Sequence, residues 1–450
     1  MIVREKHFYK SMLAIAFPIA VQNLISFLVN LLDTLMVGQL GEDSLSGVQL
    51  AGNLFFILMI IGVGVGEGMN ILIAQYYGKK DMDSIRKIYP IAYRTAAVIG
   101  IVAFVIGFFF PEQFIRIYAK QEDTLAIAEG VKYLKLISLC YIPYIFADIS
   151  IRSQRPVGSA HISMYIYVAS LVVNASLNYI LIFGKLGMPA LGVRGAAIGT
   201  ICARTLELIL ISIFLFRIDQ KIKLKIKDLL PVDGFILKKF ITNSAPIVFN
   251  EIVWVLASTT ISIIFAKLGK QVVAANTVSL VMFQLISVFL FGISSAASVT
   301  VGNIIGAGKI HKAYDYAHTY CLLGLGIGLF SSLLVFLTKD FAIGLYNLTP
   351  QTQELAHHIL NAAALVVFLQ STNMITGMGT LRGGGDGKIV LIIEMVFAWF
   401  LAVPLGLLAA FYWELPIFWV YIFAKADEIA KAIAFTARVL FSKWAKDVTN

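Results

Sequence analysis

Asp33 is the residue in this 450-residue chain best placed to do chemistry. It sits inside an apolar run, and Asn23, Ser26, Asn30 and Asp33 recur at three- and four-residue steps, the spacing of one helix face. An acid at bilayer depth costs on the order of 2.5–3.5 kcal/mol by insertion scales, so it needs a partner, a water-filled cavity or a function. The structural alternative is an acid near an outer helix end, wetted by solvent. Farther along, Asn174 and Asn178 lie one turn apart on one face, and Thr200 precedes Arg204 and Glu207. Amide and hydroxyl oxygens beside one carboxylate suit a hard cation. Na+ favours oxygen ligands, and the acid alone could bind a proton instead. The expected cation-binding set, for Na+ or H+, is therefore Asp33, Asn174, Asn178 and Thr200. The alternative for its neutral members is ordinary hydrogen bonding between helices. Arg204 and Glu207 are expected to pair with each other.

A second polar stripe runs through A-P-I-V-F-N-E-I-V-W at 245–254, where Glu251, Trp254, Ser258 and Ser262 follow helical spacing. No basic residue lies within a turn of Glu251 on its own helix. The expectation is an apolar setting that favours the protonated acid. Glu251, Trp254 and Asn30 are thus candidates for substrate binding or proton coupling. The alternative is a buried ion pair with another span. Asp148 and Arg152 read as a helix-end pair, Glu394 reads as structural, and Glu67 in G-V-G-V-G-E-G is open between the two roles.

Other patterns exclude chemistry. L-R-G-G-G-D-G-K at 381–388 lacks the spacing of a phosphate loop and reads as a tight turn. Adjacent His357 and His358 point to different faces. Cys140, Cys202 and Cys321 lie in separate spans with no metal or redox spacing. No nucleophile–base constellation stands out, so an enzyme is not expected, and no cofactor beyond a coupling ion.

The elements that must position these residues are membrane helices. Hydrophobic residues make up 59% of the chain and charged ones 14%, against about a quarter charged in soluble proteins. Mean hydropathy is +0.84. Apolar spans fall near 12–38, 46–77, 92–110, 131–152, 161–183, 193–216, 240–267, 273–303, 317–337, 357–380, 388–412 and 415–441, twelve in all. The expected fold is an all-α membrane protein of two pseudo-symmetric six-helix bundles. The basic, apolar N-terminus is not read as a signal peptide, because the run continues through Pro18, Gln22 and Asn30 without a small-residue cleavage site.

The net charge of +10 does not imply a nucleic-acid partner. Lys and Arg cluster in alternate connections, while the intervening loops carry few, such as Arg116, Lys120 and Lys339, often beside Glu112, Glu122 and Asp123. By the positive-inside rule both termini are cytoplasmic. The chain also repeats itself. Pro18 answers Pro246, Leu40-Gly41 answers Leu268-Gly269, and Gly78 answers Gly306, each 228 residues apart. Arg155 answers Arg382 with the offset changed by one. With six spans per half, the repeats share one orientation, and a binding site is expected where they meet. The domain reading is an N-terminal lobe at 1–216, a linker at 217–239 and a C-terminal lobe with a short tail at 240–450. The linker carries K-I-K-L-K-I-K-D at 221–228 and reads either as an amphipathic strip on the inner leaflet or as a solvated basic loop.

Over nearly its whole length the sequence resembles the multidrug and toxin extrusion (MATE) transporters. The resemblance rests on Pro18 with D-T-L-M-V-G-Q-L-G at 33–41, V-N-A-S-L-N-Y at 173–179 and G-V-R-G-A-A-I-G-T at 192–200. In the second half it rests on A-P-I-V-F-N-E at 245–251, K-L-G-K-Q-V-V-A-A at 267–275 and L-R-G-G-G-D at 381–386. It implies two six-helix lobes that export drugs by antiport with Na+ or H+. Asp33, Asn174 and Thr200 match a cation site of DinF-like members, whereas Asn178 stands where several members have Asp. Glu251 resembles an acid of NorM-like members, but the tenth-span acid is missing from Q-S-T-N-M at 370–374. The expectation is a monomeric, multi-pass, cation-coupled antiporter in the cytoplasmic membrane. It would export small organic molecules, cationic or amphipathic, by alternating access. The rival is a flippase for a lipid-linked cell-envelope precursor.

Overall fold

The computed structural model describes residues 3–119 and 123–449, so Lys120 and Glu122 lie outside it. No strand occurs among the described residues. Among the described residues, eleven helices are long and apolar enough to cross a membrane. They are α1 (Lys6–Gly38), α2 (Glu42–Gly78), α3 (Met82–Phe109), α4 (Thr124–Arg152), α5 (His161–Phe183), α6 (Val193–Ile218), α7 (Gly234–Lys267), α8 (Lys270–Gly306), α9 (Ile310–Gly344), α10 (Pro350–Leu381) and α11 (Gly387–Tyr412). The twelfth, α12, is broken at Lys425 into Ile417–Ala424 and Ala426–Phe441. The break and the charges of its second segment set it apart from the other eleven.

The chain forms two compact units. One comprises 21–73 and 81–244, the other 1–20, 74–80 and 245–450. Helices α1, α2 and α7 thus contribute to both. In α1 and α7 the change of unit falls beside the repeated prolines, Pro18 and Pro246, where a helix loses a backbone hydrogen bond.

In the first unit α5 packs along α6, and α3 packs on the second half of α4. The α5–α6 contact is close because α6 is small where it matters. A Cβ at Gly195 would lie 2.6 Å from the Leu181 carbonyl oxygen, and one at Gly199 would lie 2.1 Å from Asn178 Oδ1. Small residues four apart let membrane helices approach until their backbones touch. Val37 of α1 joins Ile182, Val193 and Ala196 in a buried apolar cluster at the same end. The 217–239 segment is tied to this unit. Lys221 Nζ donates to the Val157 carbonyl (2.6 Å), and Arg86 Nε donates to that of Ile222 (2.8 Å). Lys87 donates to Asp233 Oδ2 (3.0 Å) and holds that exposed carboxyl below its usual range.

In the second unit α9 packs on α10, and α8 on α10. The sequence repeat reappears here as a symmetric crossing. A Cβ at Gly78 would lie 2.1 Å from the Asn303 carbonyl oxygen, and one at Gly306 would lie 1.9 Å from that of Gln75. Asn303 is the counterpart of Gln75 at the 228-residue offset. Equivalent residues therefore meet reciprocally, as about a local two-fold axis. The ends of α2 and α8 lie together, which is compatible with parallel repeats, whose equivalent ends share one membrane side. Gly41 and Gly269 also keep the same backbone conformation, φ 114° and 118°.

The 381–388 segment is a tight turn, as read from sequence. Its Asp386 is fully buried and accepts from Arg438 Nε (2.9 Å) and Lys446 Nζ (2.5 Å). The tail crosses this turn. Trp444 is fully buried against Gly384, and Gln75 bonds the tail backbone at Lys446 O (3.0 Å) and Val448 N (2.8 Å).

The crossing yields a prediction. Gly306→Ala puts a methyl group against backbone that cannot rotate away, and overpacking of this kind costs about 1–3 kcal/mol. Gly326→Ala has open space around it and serves as the control. Thermal unfolding in detergent should show a clear loss for the first and none for the second. Equal melting temperatures would contradict the crossing.

Candidate functional site

Three helices bring the expected cation-binding set together. Asp33 lies one turn from Val37 on α1, Asn178 one turn from Ile182 on α5, and Thr200 one turn from Ala196 on α6. The apolar cluster of Val37, Ile182 and Ala196 thus fixes the register of the polar layer next to it.

Within that layer Asn178 Nδ2 donates to Asp33 Oδ1 and, at 3.3 Å, to Asn174 Oδ1. Asn174 Nδ2 donates to Thr200 Oγ1 (3.3 Å), and Thr200 Oγ1 donates to the Ala196 carbonyl (3.1 Å). Both asparagines are buried, whereas Asp33 and Thr200 are partly exposed. Asn178 Oδ1 is buried with no hydrogen-bond partner among the described residues. A buried acceptor without a donor is uncommon and needs a reason. A carboxylate, two amide oxygens and a hydroxyl form a hard donor set, and a small cation would satisfy the orphaned oxygen. The residues present therefore fit Na+ or a proton.

Arg204 is close enough to attract Asp33 electrostatically, but it is spoken for. Its Nη1 donates to both carboxylate oxygens of Glu207 (2.8 and 3.0 Å), as expected from sequence. Ser170 Oγ donates to the same carboxylate (2.5 Å), and the guanidinium lies over Tyr144, 5.4 Å from the ring centre. Asp33 has no ion-pair partner of its own among the described residues.

Two further acids of this unit, Asp148 and Glu67, are paired with arginines. Arg152 bonds Asp148 Oδ2 (2.8 Å) and Glu67 Oε1 (3.1 Å), and Arg155 bonds Glu67 Oε1 (3.2 Å). The pairing of Asp148 with Arg152 follows its one-turn spacing. Glu67, open on sequence alone, is held by two arginines.

The apolar setting expected for Glu251 is corrected. Arg382 Nη1 donates to Glu251 Oε1 at 2.9 Å, and both side chains are buried. The partner comes from 131 residues away, at the end of a π-helical stretch of α10, so no local spacing could reveal it. The two repeat-related arginines, Arg155 and Arg382, thus both bind acids, although the acids differ in position. Trp254 is 37% exposed and does not share the burial of Glu251. Asn30 is exposed, one turn before Asp33.

A further group went unread in the sequence. Lys431 of α12 sits among Glu394, Asp427 and Glu428, all buried. Its signal was present as charged residues in the middle of the twelfth span, A-K-A-D-E-I-A-K at 424–431, with Asp427 and Lys431 one turn apart.

Glu251 and Arg382 give a second prediction. Glu251→Gln leaves a buried guanidinium unpaired, and breaking a buried pair from one side costs about 3–5 kcal/mol. The double variant Glu251→Gln with Arg382→Gln should recover part of that loss in thermal unfolding. A Glu251→Gln protein as stable as the parent would show that the pair does not form.

The MatE family profile matches the chain twice, at 18–180 and at 246–408, so the repeat is one unit of the family occurring in tandem. A "Probable multidrug resistance protein NorM" of Oceanobacillus iheyensis is 27% identical, over 96% of this chain and 96% of the relative. A protein of the same name from Agrobacterium fabrum is 26% identical over 91% and 88%. "Multidrug resistance protein MdtK" of Yersinia pseudotuberculosis is 24% identical over 89% and 87%. The fold matches a crystal structure of MATE in complex with MaL6, with a TM-score of 0.85 at 21% identity over 96% of each chain. An outward-facing multidrug resistance MATE transporter matches with a TM-score of 0.85 over 98% of each chain. With the tandem match covering most of its length and the membrane helices in place, the chain belongs to the MatE family of multidrug and toxin extrusion transporters.

Proposed function

We propose that this transporter exports small organic molecules, cationic or amphipathic drugs or metabolites, in exchange for Na+ or H+ bound at Asp33. The observation that carries the reading is the buried Asn178 Oδ1, which among the described residues has no hydrogen-bond partner, beside a carboxylate that has no ion pair among them. Export of drugs is supported by the names of the relatives. Placement in the cytoplasmic membrane with both termini inside is supported by the Lys and Arg distribution.

Asn178 supplies a switch between two states of the site. In the arrangement described, its NH2 group faces Asp33 and satisfies the carboxylate. A half-turn of the amide would present Oδ1 instead, adding an oxygen ligand for an incoming cation. Protonation of Asp33 would likewise turn the carboxyl into a donor for that oxygen. Either ion rebuilds the contact between α1 and α5. Under alternating access the ion drives export only by its difference in affinity for the two states, and a reshaped α1–α5 contact provides one.

The rival flippase reading needs cationic side chains free to meet an anionic headgroup. The intramembrane arginines Arg152, Arg155, Arg204 and Arg382 each bind a carboxylate instead.

Transport in proteoliposomes, with Na+ and pH gradients imposed separately, tests the proposal. At least one gradient should accelerate efflux by the parent, and neither should accelerate efflux by Asp33→Asn, although the variant folds. Gradient-driven efflux by Asp33→Asn at the parental rate would refute the role of Asp33.

A further inference from the structure

We propose that Glu394, Asp427, Glu428 and Lys431 form a second proton-binding site, in the other compact unit from Asp33, which holds an exchangeable proton shared among the three carboxyls. Lys431 Nζ lies 2.6 Å from Asp427 Oδ2, 2.7 Å from Glu394 Oε2 and 3.9 Å from Glu428 Oε1. Three carboxylates against one ammonium leave a surplus of two negative charges if all are ionised. The other buried clusters differ: Arg204 with Glu207 and Arg382 with Glu251 balance one to one, and Asp386 faces two cations. A surplus of negative charge away from water is relieved when one carboxyl takes up a proton.

The hydrogen-bond pattern points the same way. Asn373 of α10 donates through Nδ2 to Glu428 Oε2 and to the Glu428 carbonyl, both at 2.8 Å. Its own Oδ1 is buried with no hydrogen-bond partner among the described residues, and so is Asp427 Oδ1. Both are acceptors, and among the described residues neither receives a hydrogen bond, although the Lys431 ammonium lies in the same cluster. A proton on a neighbouring carboxyl supplies a donor.

The break in α12 keeps the proton exchangeable. Asp427 and Glu428 occupy the first turn of the segment that starts after Lys425. The positive end of a helix stabilises negative charge there, so the ionised form stays within reach. The charged groups facing one another are Glu394 from α11 and Asp427, Glu428 and Lys431 from α12. Asn373 is the polar contact from α10. Arg438, farther along α12, is bound to Asp386.

The binding of a proton stands without the proposed coupling. Its use in transport rests on that reading, so the test has two arms. In the first, the infrared C=O stretch of protonated carboxyls is followed against pH in purified Asp33→Asn protein. A titrating band is expected, and it should be lost or shifted on adding Glu428→Gln, Asp427→Asn or Glu394→Gln. Three substitutions guard against one that does not fold, and each keeps Lys431 paired. No band in Asp33→Asn, or a band untouched by all of the folded variants, would overturn the site. In the second arm, Glu428→Gln with Asp33 intact should lower pH-gradient-driven efflux about tenfold. Parental efflux from Glu428→Gln would overturn its use in coupling, whatever Asp33→Asn does.

Discussion

A charge inside a membrane-spanning bundle must be matched, because removing an ion from water costs several kcal/mol even after the protein relaxes around it. That constraint organises this molecule. Arginines meet acids at Glu207, at Glu67 and Asp148, and at Glu251, and a lysine and an arginine converge on Asp386. Once these pairs are drawn, few acids inside the helix bundles are left over. Asp33 has amides and a hydroxyl for company, and Lys431 has more carboxylates than one ammonium can neutralise. The places where protein charge fails to balance are the places where a mobile cation can complete it. On the function proposed above, a coupling ion would complete such an electrostatic set.

Close helix packing makes the sets specific. Gly199 lets α6 reach Asn178, and the apolar cluster around Val37 and Ile182 fixes which residues of α1 and α5 stand level. Asn178 can serve Asp33 on one side and Asn174 on the other because no side chain at Gly199 pushes it away. Any bulk there would first displace the amide that bonds Asp33. In the other unit Gly78 and Gly306 draw the ends of α2 and α8 into a reciprocal crossing. The same device, a missing Cβ, thus serves both the site and the repeat.

Much of this was legible in the sequence, and the physical distance between partners explains what was not. Pairs one turn apart on one helix, Arg204 with Glu207 and Asp148 with Arg152, follow from helical spacing alone. The Asp33 layer was legible because polar residues on apolar helices at matching steps have few places to point. The small residues of G-V-R-G-A-A-I-G-T, read only as part of a resemblance, also carried the reason why α5 and α6 close. Glu251 misled because the absence of a base on its own helix says nothing of Arg382, brought from α10 by tertiary packing. Glu394 read as structural from its place near the cytoplasmic side, and its partner Lys431 on α12 was beyond any local spacing. The charges of 424–431 were absorbed into an apolar span instead of being counted against it.

The central claim, that Asp33 and its neighbours bind the coupling cation, is tested most directly by equilibrium binding without transport. A ligand that binds only the folded protein raises its melting temperature as its concentration rises. Titrating purified protein with Na+ against a K+ control, and separately with H+ by lowering the pH, should reveal one ion that stabilises the parent but not Asp33→Asn. An equal shift in the parent and in Asp33→Asn, or no shift with either ion, would contradict the account.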